Sequence, residues 1–98
     1  MKHVKATAAP TDPNLYDANV LGAAVRAART GAGMTLADAA LSIGVAKQTL
    51  ANLEAGAPGV SLGLVLKITQ ALGLGLVVIP RYQQARVAKL LQQGGESA

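Results

Sequence analysis

The sequence predicts an all-α bundle of about four to five short helices with one short strand appended near its C-terminal end. Three observations carry this expectation. Hydrophobic residues make up 51% of the 98, yet only 2% are aromatic and none is Phe or Trp, so the core must be built from Leu, Val, Ile and Ala, which suits closely packed short helices. Cap-type residues open successive apolar segments and glycines close them. The exception is Leu74–Pro80, which is β-branched and apolar on both alternating faces, as a strand would be. The length corresponds to about one domain with a single small core.

Residues 1–16 are polar, basic and interrupted by Pro10 and Pro13, which disfavour helix in the residues before them. They read as an extended or mobile arm, with Lys2 and Lys5 as the only feature that would draw it to nucleic acid. Residues 17–73 make the domain. In "DANVLGAAVRAARTGAG", Asp17 or Asn19 is the candidate N-cap. Val20, Leu21, Ala24, Val25 and Ala28 form its apolar face, and Arg26 and Arg29 lie toward the end, where cations favour the dipole. Gly31 and Gly33 stop this helix.

"MTLADAALSIG" begins at Thr35, whose hydroxyl can cap the backbone while Asp38, three residues on, supplies the acid of a capping box. Leu36, Ala37, Ala40 and Leu41 are expected to make a narrow face of mostly small residues, and Gly44 can turn with positive φ. "GVAKQTLANLEAG" then starts a new helix, with Val45 anchoring the turn and Leu50 and Leu53 pointing inward. Lys47, Gln48, Thr49 and Asn52 are left largely on the opposite side. A helix of two turns, a glycine turn and a second helix is helix-turn-helix spacing. Glu54 ends that second helix, an unfavourable place for an acid, and needs a partner.

"GAPGVSLGLVLKITQALG" is a loop followed by a helix from the N-cap Ser61 through Leu72, ended by Gly73. Its stripe of Leu62, Val65, Leu66, Ile68, Thr69 and Leu72 is broader than one small domain covers, so part of it is expected to meet a second subunit. The strand of residues 74–80 has no partner among helices. Pairing of Leu74, Leu76, Val77, Val78 and Ile79 with the same strand of a twin chain predicts a two-fold homodimer. Residues 81–98 carry Val87, Leu90 and Leu91 at helical spacing with Arg86 and Lys89, then Gly94 and Gly95 as a stop. They read either as a weak amphipathic helix docking on a partner or as a frayed basic tail.

The chemistry available is narrow. There is no cysteine and only one histidine, His3, which removes thiolate and histidine metal sites and a catalytic triad. The five carboxylates, Asp12, Asp17, Asp38, Glu54 and Glu96, are scattered rather than paired. The expectation is no enzyme, no cofactor and no metal. A net charge of +4 and a pI near 9.9 favour polyanionic partners. No apolar run approaches the roughly 18 residues of a membrane span, and "MKHVKATAAPTDPN" lacks the apolar region of a secretory signal. A cytoplasmic protein is expected.

From Leu21 to Gly73 the chain resembles the Cro/repressor-type, or xenobiotic-response-element, helix-turn-helix domain. The resemblance rests on the G-V-x-x-x-T-[IL]-x-x-[IL]-E-x-G string and the downstream S-L-x-x-[IL]-x-K-I-x-x-A-L-G. It implies a lambda-repressor-like bundle whose second helix of the pair enters the major groove of double-stranded DNA. Carried over by position, Lys47, Gln48, Thr49 and Asn52 would read bases, Lys47 at guanine and the amides at adenine. Thr35, Leu36 and Ala46 would lie along the DNA backbone. Arg29 and Glu54 would form a structural ion pair fixing the two helices, which supplies the partner Glu54 needs. Two positions depart from the pattern: Leu36 stands where the family often has a phosphate-binding glutamine, and Ala46 where serine or threonine is frequent.

"ALGLGLVVIPR" is similar to the helix end and strand of HipB-type antitoxins. That implies a dimeric repressor of its own operon, bound to a palindromic operator and to a cognate toxin, often a HipA-like kinase. A stand-alone or phage-derived regulator without a toxin shares the same domain, and a protein-interaction module is the reading from another class.

Overall fold

The computed structural model describes residues 3–11 and 15–96. Lys2 of the arm, Asp12 and Pro13 lie outside the described residues. The elements in chain order are five helices: α1 (Ala18–Gly31), α2 (Leu36–Ile43), α3 (Lys47–Glu54), α4 (Leu62–Ala71) and α5 (Arg81–Glu96).

Side-chain caps set the starts of three of them. Asp17 Oδ1 accepts from the backbone N–H groups of Asn19 and Val20 at 2.9 and 3.1 Å, so Asp17 rather than Asn19 opens α1. Thr35 Oγ1 accepts from Asp38 N–H at 3.1 Å to open α2, and Ser61 Oγ accepts from Leu64 N–H at 3.2 Å to open α4. Each satisfies a donor that a helix start would otherwise leave orphaned. The turn from α2 to α3 hinges on Gly44, held at φ 84°, a conformation in which a side chain would clash with its own backbone. Lys67 on α4 donates from Nζ to the Gly44 carbonyl at 3.4 Å, closing the turn from outside.

The core consists of Val25 from α1, Ala39 and Ala40 from α2, Leu50 and Leu53 from α3, and Val65 and Ile68 from α4, with Leu21, Met34, Leu36, Ile43, Val45, Val60, Leu72 and Leu74 packed around it. Leu50 and Ile68 are fully buried, each contributing about 1.5–3 kcal/mol relative to exposure. The α2 face differs from the expected one. Ala39 and Ala40 are buried, whereas Ala37 is exposed and Leu41 is 84% exposed. The inward positions are therefore 36, 39, 40 and 43, a set at i, i+3, i+4 and i+7.

In α4, Val65, Ile68 and Thr69 are buried while Leu62 and Leu66 remain exposed, so the expected broad stripe is covered only in part. That helix ends at Ala71, with Leu72 as its C-cap.

Near the N-terminal end, residues 3–11 carry no regular secondary structure, but Thr7 ties them to α1. Thr7 N–H donates to Thr30 Oγ1 at 2.9 Å, and the two hydroxyls lie 3.2 Å apart. The Thr30 hydroxyl also lies 2.9 Å from the Arg26 carbonyl, to which it can donate.

The C-terminal expectations need two corrections. Among the described residues there is no strand: residues 74–80 have no regular secondary structure. A strand exists only through its ladder, and every other regular element described in this chain is a helix that offers no edge to pair with. Beyond Pro80 the alternative of a frayed tail gives way to α5, a helix of 16 residues that runs through Gly94 and Gly95 instead of stopping there.

Candidate nucleic-acid interface

The candidate surface is the side of α3 opposite Leu50 and Leu53. Lys47 and Gln48 are exposed there, and Thr49 and Asn52 are half-buried, deeper than the expected exposed positions. Gln48 and Asn52 are four residues apart, one turn along the helix. Gln48 Nε2 donates to Asn52 Oδ1 at 2.8 Å, so the two amides form one unit. Ala46 is the N-cap and supplies no side-chain hydrogen bond. At the start of α2, the Thr35 hydroxyl is engaged in capping, and Leu36 packs its side chain against the core.

What holds α3 in place comes from α1. Arg29 Nε donates to Glu54 Oε2 at 2.6 Å and Nη2 donates to Oε1 at 2.9 Å, while Nη1 donates to the Met34 carbonyl at 2.8 Å. The two side chains are only 9% and 8% exposed. With its three nitrogens engaged inside the fold, this guanidinium fixes helices and is not presented to an external phosphate. A second support is backbone against backbone. A Cβ on Gly22 would lie 2.5 Å from the Glu54 carbonyl oxygen and 2.6 Å from that of Leu53, so only glycine lets α1 approach the end of α3 this closely.

Of the residues expected to dimerise, Leu74 packs against the core and the others lie outside it. Val77 is 77% and Val78 99% exposed, Leu76 is exposed, and Leu74 and Ile79 are half-buried. Leu74, Leu76, Val77 and Ile79 line an open, largely apolar groove of about 330 Å³ together with Leu15, Tyr16 and Leu21. Sequence reasoning placed Leu15 and Tyr16 in the arm and missed this. The signal was present: Tyr16 immediately precedes the N-cap and Leu21 is the fourth helical residue, the two positions of a hydrophobic staple.

A short capped helix, a left-handed glycine turn and a second helix clamped from behind with a polar outer side define a helix-turn-helix protein, of the class of DNA-binding regulators. The HTH_3 (Helix-turn-helix) family matches residues 25–79, more than half of the chain, and the chain belongs to that family. Among solved structures it is similar to a HipB–O4 20mer complex and to a HipA–HipB–O2–O3 complex. Each has a TM-score of 0.62 and 26% identity over 69% of this chain and 96% of the other. A HipB variant in an O2 20mer complex has the same TM-score, with 28% identity over 69% of this chain and 94% of the other. No curated protein sequence matches the chain. Among the described residues no helix is long and apolar enough to cross a membrane.

Proposed function

We propose that this protein is a sequence-specific transcriptional repressor that binds a palindromic operator as a homodimer and acts as the antitoxin of a toxin–antitoxin pair, with a HipA-like partner. The observation that carries the DNA part is the outer side of α3, where Lys47, Gln48, Thr49 and Asn52 gather on a helix held by the Arg29–Glu54 pair. These side chains form the groove-facing set, with Thr35, Leu36 and Ala46 along the backbone. The similarity to a HipA–HipB–O2–O3 complex supports the antitoxin role. Exposure of Val77 and Val78 beside the apolar groove supports self-association through residues 74–79.

Fluorescence anisotropy on the DNA upstream of the protein's own reading frame, against scrambled DNA at two salt concentrations, tests the DNA part. Binding that prefers the upstream DNA and survives added salt is expected. Affinity equal to that for scrambled DNA and falling steeply with salt overturns it, because phosphate contacts alone behave that way. Co-purification with the product of an adjacent toxin-like reading frame tests the antitoxin role, and its absence leaves a stand-alone regulator.

A further inference from the structure

Within this reading of α3 as the base-reading helix, we infer that Asn52 is a positioning residue for Gln48 and contacts no base itself, so that Gln48, braced by Asn52, reads one A·T pair. Gln48 is exposed and reaches outward, whereas Asn52 is half-buried one turn behind it. The 2.8 Å bond uses one Nε2 proton of Gln48 and a lone pair of Asn52. It holds the plane of the glutamine amide in one place and takes up one of its polar groups. What remains outward in this arrangement is an acceptor, Oε1, and the second Nε2 proton, a donor. An adenine in the major groove offers the complementary pair, the N6 amino donor and the N7 acceptor. Guanine offers two acceptors in those places and satisfies only half of the glutamine amide.

Without Asn52 the Gln48 side chain loses the partner that holds its amide in place and is free to rotate about its last torsion. That torsion is broad and nearly two-fold for a glutamine. The base preference at one position of the site then depends on a residue that does not touch it. Lys47 and Thr49 are outside this unit, since the bond joins only Gln48 and Asn52.

The test is selection of binding sites from a randomised duplex library by the full chain and by its Gln48→Ala, Asn52→Ala, Asn52→Gln and doubly substituted Gln48→Ala/Asn52→Ala forms, with a thermal melt of each. The expected result is that Gln48→Ala and Asn52→Ala lose the preference for A·T at the same single position, each by about tenfold. The double form should lose no more than either alone, and Asn52→Gln, which keeps an amide acceptor, should retain the preference. Loss at two different positions, or losses that multiply in the double form, overturns the inference and makes Asn52 a base reader in its own right. An unsubstituted chain that selects no sequence at all overturns the reading of α3 as well, and so separates the two failures.

Discussion

Arg29 on α1 grips Glu54 at the end of α3 through two side-by-side hydrogen bonds of 2.6 and 2.9 Å, with both side chains almost withdrawn from solvent. Removing one partner leaves the other charge poorly compensated. Arg29→Ala or Glu54→Ala should therefore each lower unfolding stability by about 3 kcal/mol or more. Replacing both residues at once with apolar side chains of similar size should cost less than either single change, because no orphan charge remains. Urea unfolding of the three forms checks this, and equal losses in all of them would mean that packing, not charge, dominates the pair.

Gly22→Ala should destabilise the fold although alanine is the better helix former. The added methyl would sit 2.5 Å from a backbone oxygen and force α1 away from α3, at roughly 1–3 kcal/mol, against a gain of about 1 kcal/mol from helix propensity. Gly63→Ala is the control, since nothing lies within 4 Å of its Cβ position. That change should be neutral or stabilise by up to about 1 kcal/mol. Parallel denaturant titrations decide between the two directions.

The start of α3 has room for improvement. Ala46→Ser would place a hydroxyl where no side chain now caps the helix, with an expected gain of about 0.5–1 kcal/mol. Ser61→Ala removes the 3.2 Å cap of α4 and should lose about 1 kcal/mol. Thermal melts read both changes. A fall in stability for Ala46→Ser would contradict the cap assignment.

Thr30→Val keeps the shape of a buried side chain and deletes the oxygen to which Thr7 is bound. Amide exchange at Thr7 should accelerate toward the rate of an unprotected chain, and trypsin should cut more readily after Lys5. Unchanged protection at Thr7 would show that the tether to α1 is made elsewhere.

Val78→Lys tests self-association. A 99% exposed valine contributes nothing to the fold of the single chain, so the variant should melt as the parent does. In sedimentation it should dissociate at least about tenfold more readily, because a lysine ammonium buried without a partner at an apolar interface is costly. Indifference of the sedimentation coefficient would remove residues 74–79 from the interface.

Much of the bundle was legible because its punctuation is local. Asp17, Thr35 and Ser61 open helices with their own side chains, and Gly44 turns the chain within one residue, so no distant information is needed. The inward face of α2 was harder. A helix of eight residues offers too few repeats to settle the phase of its apolar stripe, and Leu41 was drawn inward on hydrophobicity although the alanines beside it fill the space. Residues 74–80 look like a strand because their composition is that of one, while the edge that would make them one is not in this chain. On the candidate surface, the identities of Lys47, Gln48, Thr49 and Asn52 were readable. The bond between Gln48 and Asn52 depends on rotamers that spacing permits but does not dictate.

The contact of Gly22 with the carbonyls of Leu53 and Glu54 places the register of α3 in main-chain atoms. Main chain is common to every sequence, so substitutions along the outer side of α3 leave the depth and tilt at which that helix is offered unaltered. If α3 reads the target as proposed, a lineage carrying this frame is free to exchange one target for another by changing a few surface side chains, with little penalty in folding. Divergence in what is recognised can then outpace divergence in architecture.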